Sequence, residues 1–157
     1  MGADSTCLYI NELPTCREPS SGGPAYPRAV KVRSGHIVFD KKVTYKQLLP
    51  VFRTMFLKFL EETQQIPEDP EILDVLLEEN LRDLRHGRKP EGYNREGAMR
   101  LIFPITDKRI EMYVYSKTRT TDVPRIVEMI SRMLQKAKLK HAVEWDKLTL
   151  YQERRAS

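Results

Sequence analysis

Three histidines, two cysteines and one acidic run are the side chains of this sequence with the strongest claim to chemistry. His36, His86 and His141 have no carboxylate or cysteine at metal-ligand spacing. His86 and His141 are expected at the C-terminal ends of helices, where an imidazolium complements the helix dipole, and all three read as surface groups. Cys7 and Cys16 have eight residues between them, a spacing that matches no zinc or redox pattern, so they read as free thiols. Asp74, Glu78, Glu79 and Asp83 recur at helical spacing opposite a row of leucines, which is the pattern of a solvated helix face. No zinc-binding histidine–glutamate helix, phosphate-binding glycine loop, dinucleotide fingerprint or nucleophile elbow occurs. No catalytic residue, metal site or cofactor is expected, and the expected role is non-enzymatic.

The chemistry that remains is that of contact. Residues 98–157 hold thirteen basic and seven acidic side chains, whereas residues 44–97 hold eight and eleven. The net charge of +5 therefore gathers toward the end of the chain. Lys117, Arg119, Arg132, Lys136, Lys138 and Lys140 spread over 117–141 as a footprint suited to phosphate oxygens. Glu111, Glu128, Glu144 and Asp146 interrupt it, and cations at a helix end are favourable without any ligand. Protein contact has a different basis. Ile102, Tyr113 and Tyr115 share the hairpin face that the core does not use, and aromatic groups are enriched at interfaces. The reading carried forward is an intracellular adaptor or regulatory subunit that binds a protein partner through the 98–117 hairpin face. The alternative is RNA or DNA binding through the basic 117–141 region. A free sheet edge at the hairpin adds self-pairing into a homodimer to these expectations.

The elements that must carry these groups are clearest from Ala98 onward. Ala98–Ile105 and Ile110–Tyr115 alternate as two strands, with Thr106-Asp107-Lys108-Arg109 as the turn. Met99, Leu101, Phe103 and Ile105 pair with Ile110, Met112 and Val114 as the core face. Arg100, Ile102, Pro104, Glu111, Tyr113 and Tyr115 form the opposite face. Pro104 donates no backbone bond, which puts it at a sheet edge or a strand end. Thr120, Thr121 or Asp122 caps a helix whose stripe is Ile126, Ile130, Met133, Leu134 and Ala137. Val143, Trp145, Leu148 and Leu150 mark a last strand, and its slipped parity predicts a bulge or turn at Asp146-Lys147.

Upstream, Val30 and Val32 are separated from Ile37 and Phe39 by Ser34-Gly35, a turn signal that predicts a short hairpin or a bent strand. Thr44 with Gln47 forms a capping box, and Pro50 predicts a helix that starts late, near Leu49, or kinks. Phe52, Met55, Phe56, Phe59 and Leu60 form its apolar face. Asp69, Pro70 and Glu71 open a further helix with the stripe Ile72, Leu73, Leu76, Leu77, Leu81 and Leu84, stopped by Gly87. Together these elements predict an α+β two-layer sandwich. Its mostly antiparallel sheet has four to five strands, with about three helices on one face. The last helix is long enough for the strands on either side of it to run parallel.

A chain of 157 residues fits one domain, placed here at 29–152, after a flexible leader over 1–28 and before a disordered tail over 153–157. Cys7-Leu8-Tyr9-Ile10 is the one strand-like stretch of the leader. No apolar run approaches the roughly 18 residues a membrane helix needs. The N-terminus lacks the pattern of a secretory signal, so the expected location is the cytoplasm or nucleus. Gly2 with Thr6 fits the myristoylation pattern only loosely, because Asp4 is a poor spacer, and acylation is not expected.

Overall fold

Alternating apolar residues in the strand segments and apolar stripes in the helical ones leave one stable solution, in which one face of the sheet is buried under helices. The structure is a computed structural model, and it describes residues 31–148. The leader, the Cys7–Ile10 stretch, both cysteines, Val30, Leu150 and the tail lie outside the described residues. The elements in order are β1 (Val32–Phe39), a 3-10 turn (Tyr45–Leu48), α1 (Leu49–Glu62), α2 (Pro70–Arg85), β2 (Gly92–Tyr93), β3 (Met99–Ile102), β4 (Glu111–Thr120), α3 (Asp122–Lys136) and β5 (His141–Trp145). The five strands form one open sheet in the order β2-β3-β4-β1-β5, and every neighbouring pair is antiparallel. The α+β architecture is the one the periodicity predicts. β4 and β5, on either side of α3 in the chain, do run parallel to each other, but β1 lies between them.

Local signals set most boundaries. The Gln47 side chain reaches back to accept from the Thr44 N–H at 2.8 Å. One 3-10 turn then leads into α1, so Pro50 falls in its first turn, where a missing N–H costs little. Asp69 caps α2 by accepting from the Glu71 N–H at 2.9 Å. Gly87, at φ +70°, ends it. The Thr120 hydroxyl accepts from the Asp122 N–H at 3.0 Å at the start of α3. The core is built from Phe52, Met55, Phe56, Phe59 and Leu60 of α1, Val123, Ile126, Ile130 and Leu134 of α3, and the inward residues Ile37, Phe39, Leu101, Met112, Val114 and Val143 of the sheet. Phe56 and Phe59 pack on Tyr93 of β2, which brings α1 over that edge. No helix among the described residues is long and apolar enough to cross a membrane.

Several expectations are corrected. Ser34-Gly35 is not the turn of a hairpin, and of the two readings a single irregular strand is the one observed. The pair lies inside β1, because Gly35 is where the sheet and α3 come closest: a Cβ there would stand 2.6 Å from Val127 Cγ2 and 2.7 Å from Trp145 Cζ3. The glycine serves packing, and the local irregularity is a register shift between Val32 and Ser34. β3 stops at Ile102, so Phe103 stays buried while Ile105 leaves the core and is 88% exposed. Pro104 thus lies beyond the strand end. The hairpin is interior to the sheet, flanked by β2 and β1, so the edge invoked for self-pairing is already paired along Leu101 and Ile102. Ile72 of α2 is exposed, as is Ala137. The turn expected at Asp146-Lys147 is present, with Asp146 at φ +52°, but it ends β5 at Trp145, so Leu148 is not in a strand.

Candidate functional site on the open sheet face

A strand shows alternate residues to opposite faces. Once Gly35, Ile37 and Phe39 face the helices, Ser34, His36 and Val38 must face away. Register then assembles that outer face. Ile102 lies opposite Tyr113, Tyr113 opposite His36, and His36 opposite Glu144. In the adjacent row Arg100 lies opposite Tyr115, and Tyr115 opposite Ser34. The three residues assigned to protein contact, Ile102, Tyr113 and Tyr115, are therefore neighbours, and all are half-buried.

Beneath Tyr113 is a polar network that no local motif shows. The rings of His36 and Tyr113 stack with centroids 4.8 Å apart and planes 26° apart. His36 Nδ1 lies 2.9 Å from Glu111 Oε2, and its Nε2 lies 3.0 Å from Ser34 Oγ. An ionised carboxylate only accepts, so Nδ1–H donates to Glu111 and, in the neutral ring, Nε2 accepts from the Ser34 hydroxyl. Lys147 Nζ donates to both Glu111 oxygens at 3.3 Å and lies 3.2 Å from Glu144 Oε1. Burial by itself would raise the Glu111 carboxyl, but the His36 hydrogen bond and the Lys147 charge outweigh it and hold the group below the ordinary carboxylate value. Burial would likewise lower the Lys147 amine, yet Glu111 and Glu144 together push it up. The Tyr113 phenol is pushed up, first by burial and then by the nearby Glu111 and Tyr115.

Ser34, His36 and Glu111 have the hydrogen-bond order of a nucleophile–base–acid relay. Ser34 is 0% and His36 1% exposed, so the hydroxyl is not presented to a substrate. As it stands, the relay fixes His36 as a rigid floor under Tyr113. The reading of His36 as an isolated surface group is corrected. His36 and Glu111 are 75 positions apart, and only the pairing of β1 with β4 joins them. One signal was present in the sequence: His36 and Ser34 share the parity opposite Ile37 and Phe39. The reading of His141 is corrected too. It opens β5 on the core face, where Nδ1 donates to the Leu139 carbonyl at 2.8 Å and Nε2 accepts from the Ser131 hydroxyl at 2.7 Å. Burial pushes its pKa down, against a smaller opposing effect of the Leu139 carbonyl. Among the histidines only His86 keeps its expected place, at the C-cap of α2, with Nδ1 against the Arg82 carbonyl at 2.8 Å.

The six cations assigned to nucleic acid divide into two sets. Lys117 pairs with Glu96 at 3.0 Å and Arg119 with Asp146 at 3.1 Å, while Arg132 pairs with Glu128. Lys136, Lys138 and Lys140 are exposed and make no ion pair among the described residues. Asp146 is more than a charge partner. Its Oδ1 accepts from the backbone N–H of Arg33 at 2.8 Å, and its own N–H donates to the Ser34 carbonyl at 2.9 Å, tying the end of β5 to β1. Among the described residues, no group of three or more His, Cys, Asp or Glu side chains could hold a metal ion. Comparison of the chain with protein-family models, curated proteins and solved structures finds no match.

Proposed function

We propose that the protein is a non-enzymatic adaptor or regulatory subunit that binds a protein partner through the outer face of its sheet, over the 98–117 hairpin. One observation supports this reading above the others. Ile102, Tyr113 and Tyr115 form a contiguous half-exposed patch on the face opposite the helices, and Tyr113 is stacked on a buried imidazole that is itself held at both nitrogens. A preformed aromatic loses little side-chain freedom on binding, which suits an interface anchor. Arg100, held by Glu96 at 2.9 Å and Asn94 at 3.2 Å, borders the patch and adds a planar donor at its rim.

The test is a chemical cross-linking and affinity-capture comparison of the native chain with the Tyr113→Ala/Tyr115→Ala variant. Both side chains are half-buried on the face opposite the described helices, so the variant is expected to stay folded, as checked by its thermal melt. Truncation of each anchor is expected to weaken the partner by about 2 kcal/mol, or roughly thirtyfold. An unchanged set of partners for a folded variant refutes the reading.

A further inference from the structure

A second surface is assembled by the fold at the far end of β1. The Phe39 N–H donates to the Ile110 carbonyl at 2.9 Å and the Asp40 N–H to the Lys140 carbonyl at 3.0 Å, while Phe39 is in register with His141. Three segments distant in sequence therefore meet side by side. They are the turn after β1 with Lys41 and Lys42, the hairpin turn with Lys108 and Arg109, and the α3–β5 connection with Lys138 and Lys140. Neighbouring strands lie about 5 Å apart, so the three segments span roughly 10 Å. All six cations are exposed, and none makes an ion pair among the described residues. The carboxylates on the same segments are only Asp40 and Asp107, and Asp40 already accepts from the Lys42 backbone N–H at 3.1 Å.

We propose that this end of the sheet binds the phosphate backbone of double-helical nucleic acid, independently of base sequence. The helix dipole accounts for lysines after α3, because cations are favoured at a C-terminal end. It does not account for Lys41, Lys42, Lys108 and Arg109, which come from a strand turn and a hairpin. Several cations elsewhere take acidic partners, as Arg119, Arg125 and Lys147 do. Here the fold brings like charges together and leaves them without acidic partners among the described residues, an arrangement that a polyanion relieves. The exposed positions of these segments carry no aromatic side chain to stack an unpaired base, which favours the regular backbone of a duplex over single strands. Ile105 of the hairpin turn is also exposed, but one apolar side chain falls short of the second signal that a lipid surface requires for stable anchoring.

The experiment is fluorescence anisotropy of the full chain with duplexes of roughly 25 base pairs and unrelated sequences, over about 50 to 200 mM salt. The plot of log affinity against log salt is expected to be linear, with a slope near −5 if all six cations engage. Lys41→Gln/Lys42→Gln and, separately, Lys138→Gln/Lys140→Gln each shorten that slope by about 2, because each lost phosphate contact removes about 0.9. Arg132→Gln, which removes an already paired cation, leaves the slope unchanged, as does Tyr113→Ala/Tyr115→Ala. All substituted lysines are exposed, and melting curves confirm that the variants are folded. Three results overturn the proposal: no duplex binding at 50 mM salt, a slope unmoved by both lysine variants, or displacement of the duplex by phosphatidylserine vesicles bound through the same lysines.

Discussion

Replacing Glu111 by alanine tests the network beneath Tyr113 most directly. The carboxylate accepts from His36 Nδ1 at 2.9 Å and from Lys147 at 3.3 Å, and the side chains of His36 and Glu111 are 2% and 16% exposed. A hydrogen bond to a charged group contributes about 1.5–3 kcal/mol, and leaving the buried imidazole N–H without its acceptor costs about 1–3 kcal/mol. These are two views of one loss, so Glu111→Ala is expected to destabilise the fold by about 2–3 kcal/mol. For a domain of this size that lowers the melting temperature by roughly 5–10 °C. Glu111→Gln keeps an acceptor oxygen for His36 and gives up the charge, so it costs less, about 1 kcal/mol. The assay is urea unfolding at neutral pH, with His36→Ala and the double variant completing a cycle. A coupling of about 1–2 kcal/mol between the two sites is expected. The pH dependence has a definite sign. The folded pKa of Glu111 lies below its unfolded value, so its contribution is present above about pH 4.3 and is lost as pH falls through the folded value. Glu111→Gln removes that acid-side loss. A coupling indistinguishable from zero, or an Ala variant within about 0.5 kcal/mol of the native chain, refutes the claim that this network positions Tyr113.

Two further predictions concern the scaffold. Gly35→Ala inserts a methyl group 2.6 Å from Val127 and 2.7 Å from Trp145, so it is expected to cost about 1–3 kcal/mol by overpacking. Chemical denaturation measures it, and a neutral outcome shows that the contact relaxes freely. The folded pKa of His141 is depressed, so stability is full above about pH 6.5 and falls as pH drops from there toward the folded value, where the unfolded chain binds the extra proton. His141→Gln is expected to be less stable at neutral pH and to show a flatter urea midpoint between about pH 5 and 6.5. An unchanged slope in that window excludes His141 as its source.

The fold was legible where a residue's own neighbours decide its conformation. Asp69-Pro70 opens α2 because a cap and a proline at the first helical position act locally, and Pro50 delays α1 for the same reason. The alternation of Met99 and Leu101 with Met112 and Val114 gave the hairpin and its inner face, and parity alone put Ile102, Tyr113 and Tyr115 together. Ser34-Gly35 left a hairpin and a bent strand both open because a turn and a tight packing contact both select small residues. The distinction rests on Val127 and Trp145, which are distant in sequence. Ile105 kept the right parity but lay past the strand end, and strand length is fixed by pairing partners rather than by alternation.

The sequence by itself determined most of the secondary structure, the two-layer α+β architecture and the division of the hairpin into a core face and an opposite, semi-polar face. Each follows from short-range periodicity and capping, whose physical causes lie within a few residues. Strand order and register, which only the tertiary structure decided, determine which polar groups meet. Pairing of β1 with β4 and β5 joined His36 to Glu111 and brought Lys147 over it. The same pairing gathered Lys41, Lys108 and Lys140 at one end of the sheet. Charges and hydrogen bonds act over a few ångströms in space, without regard to separation along the chain, so their partners are set by the fold and not by any local motif.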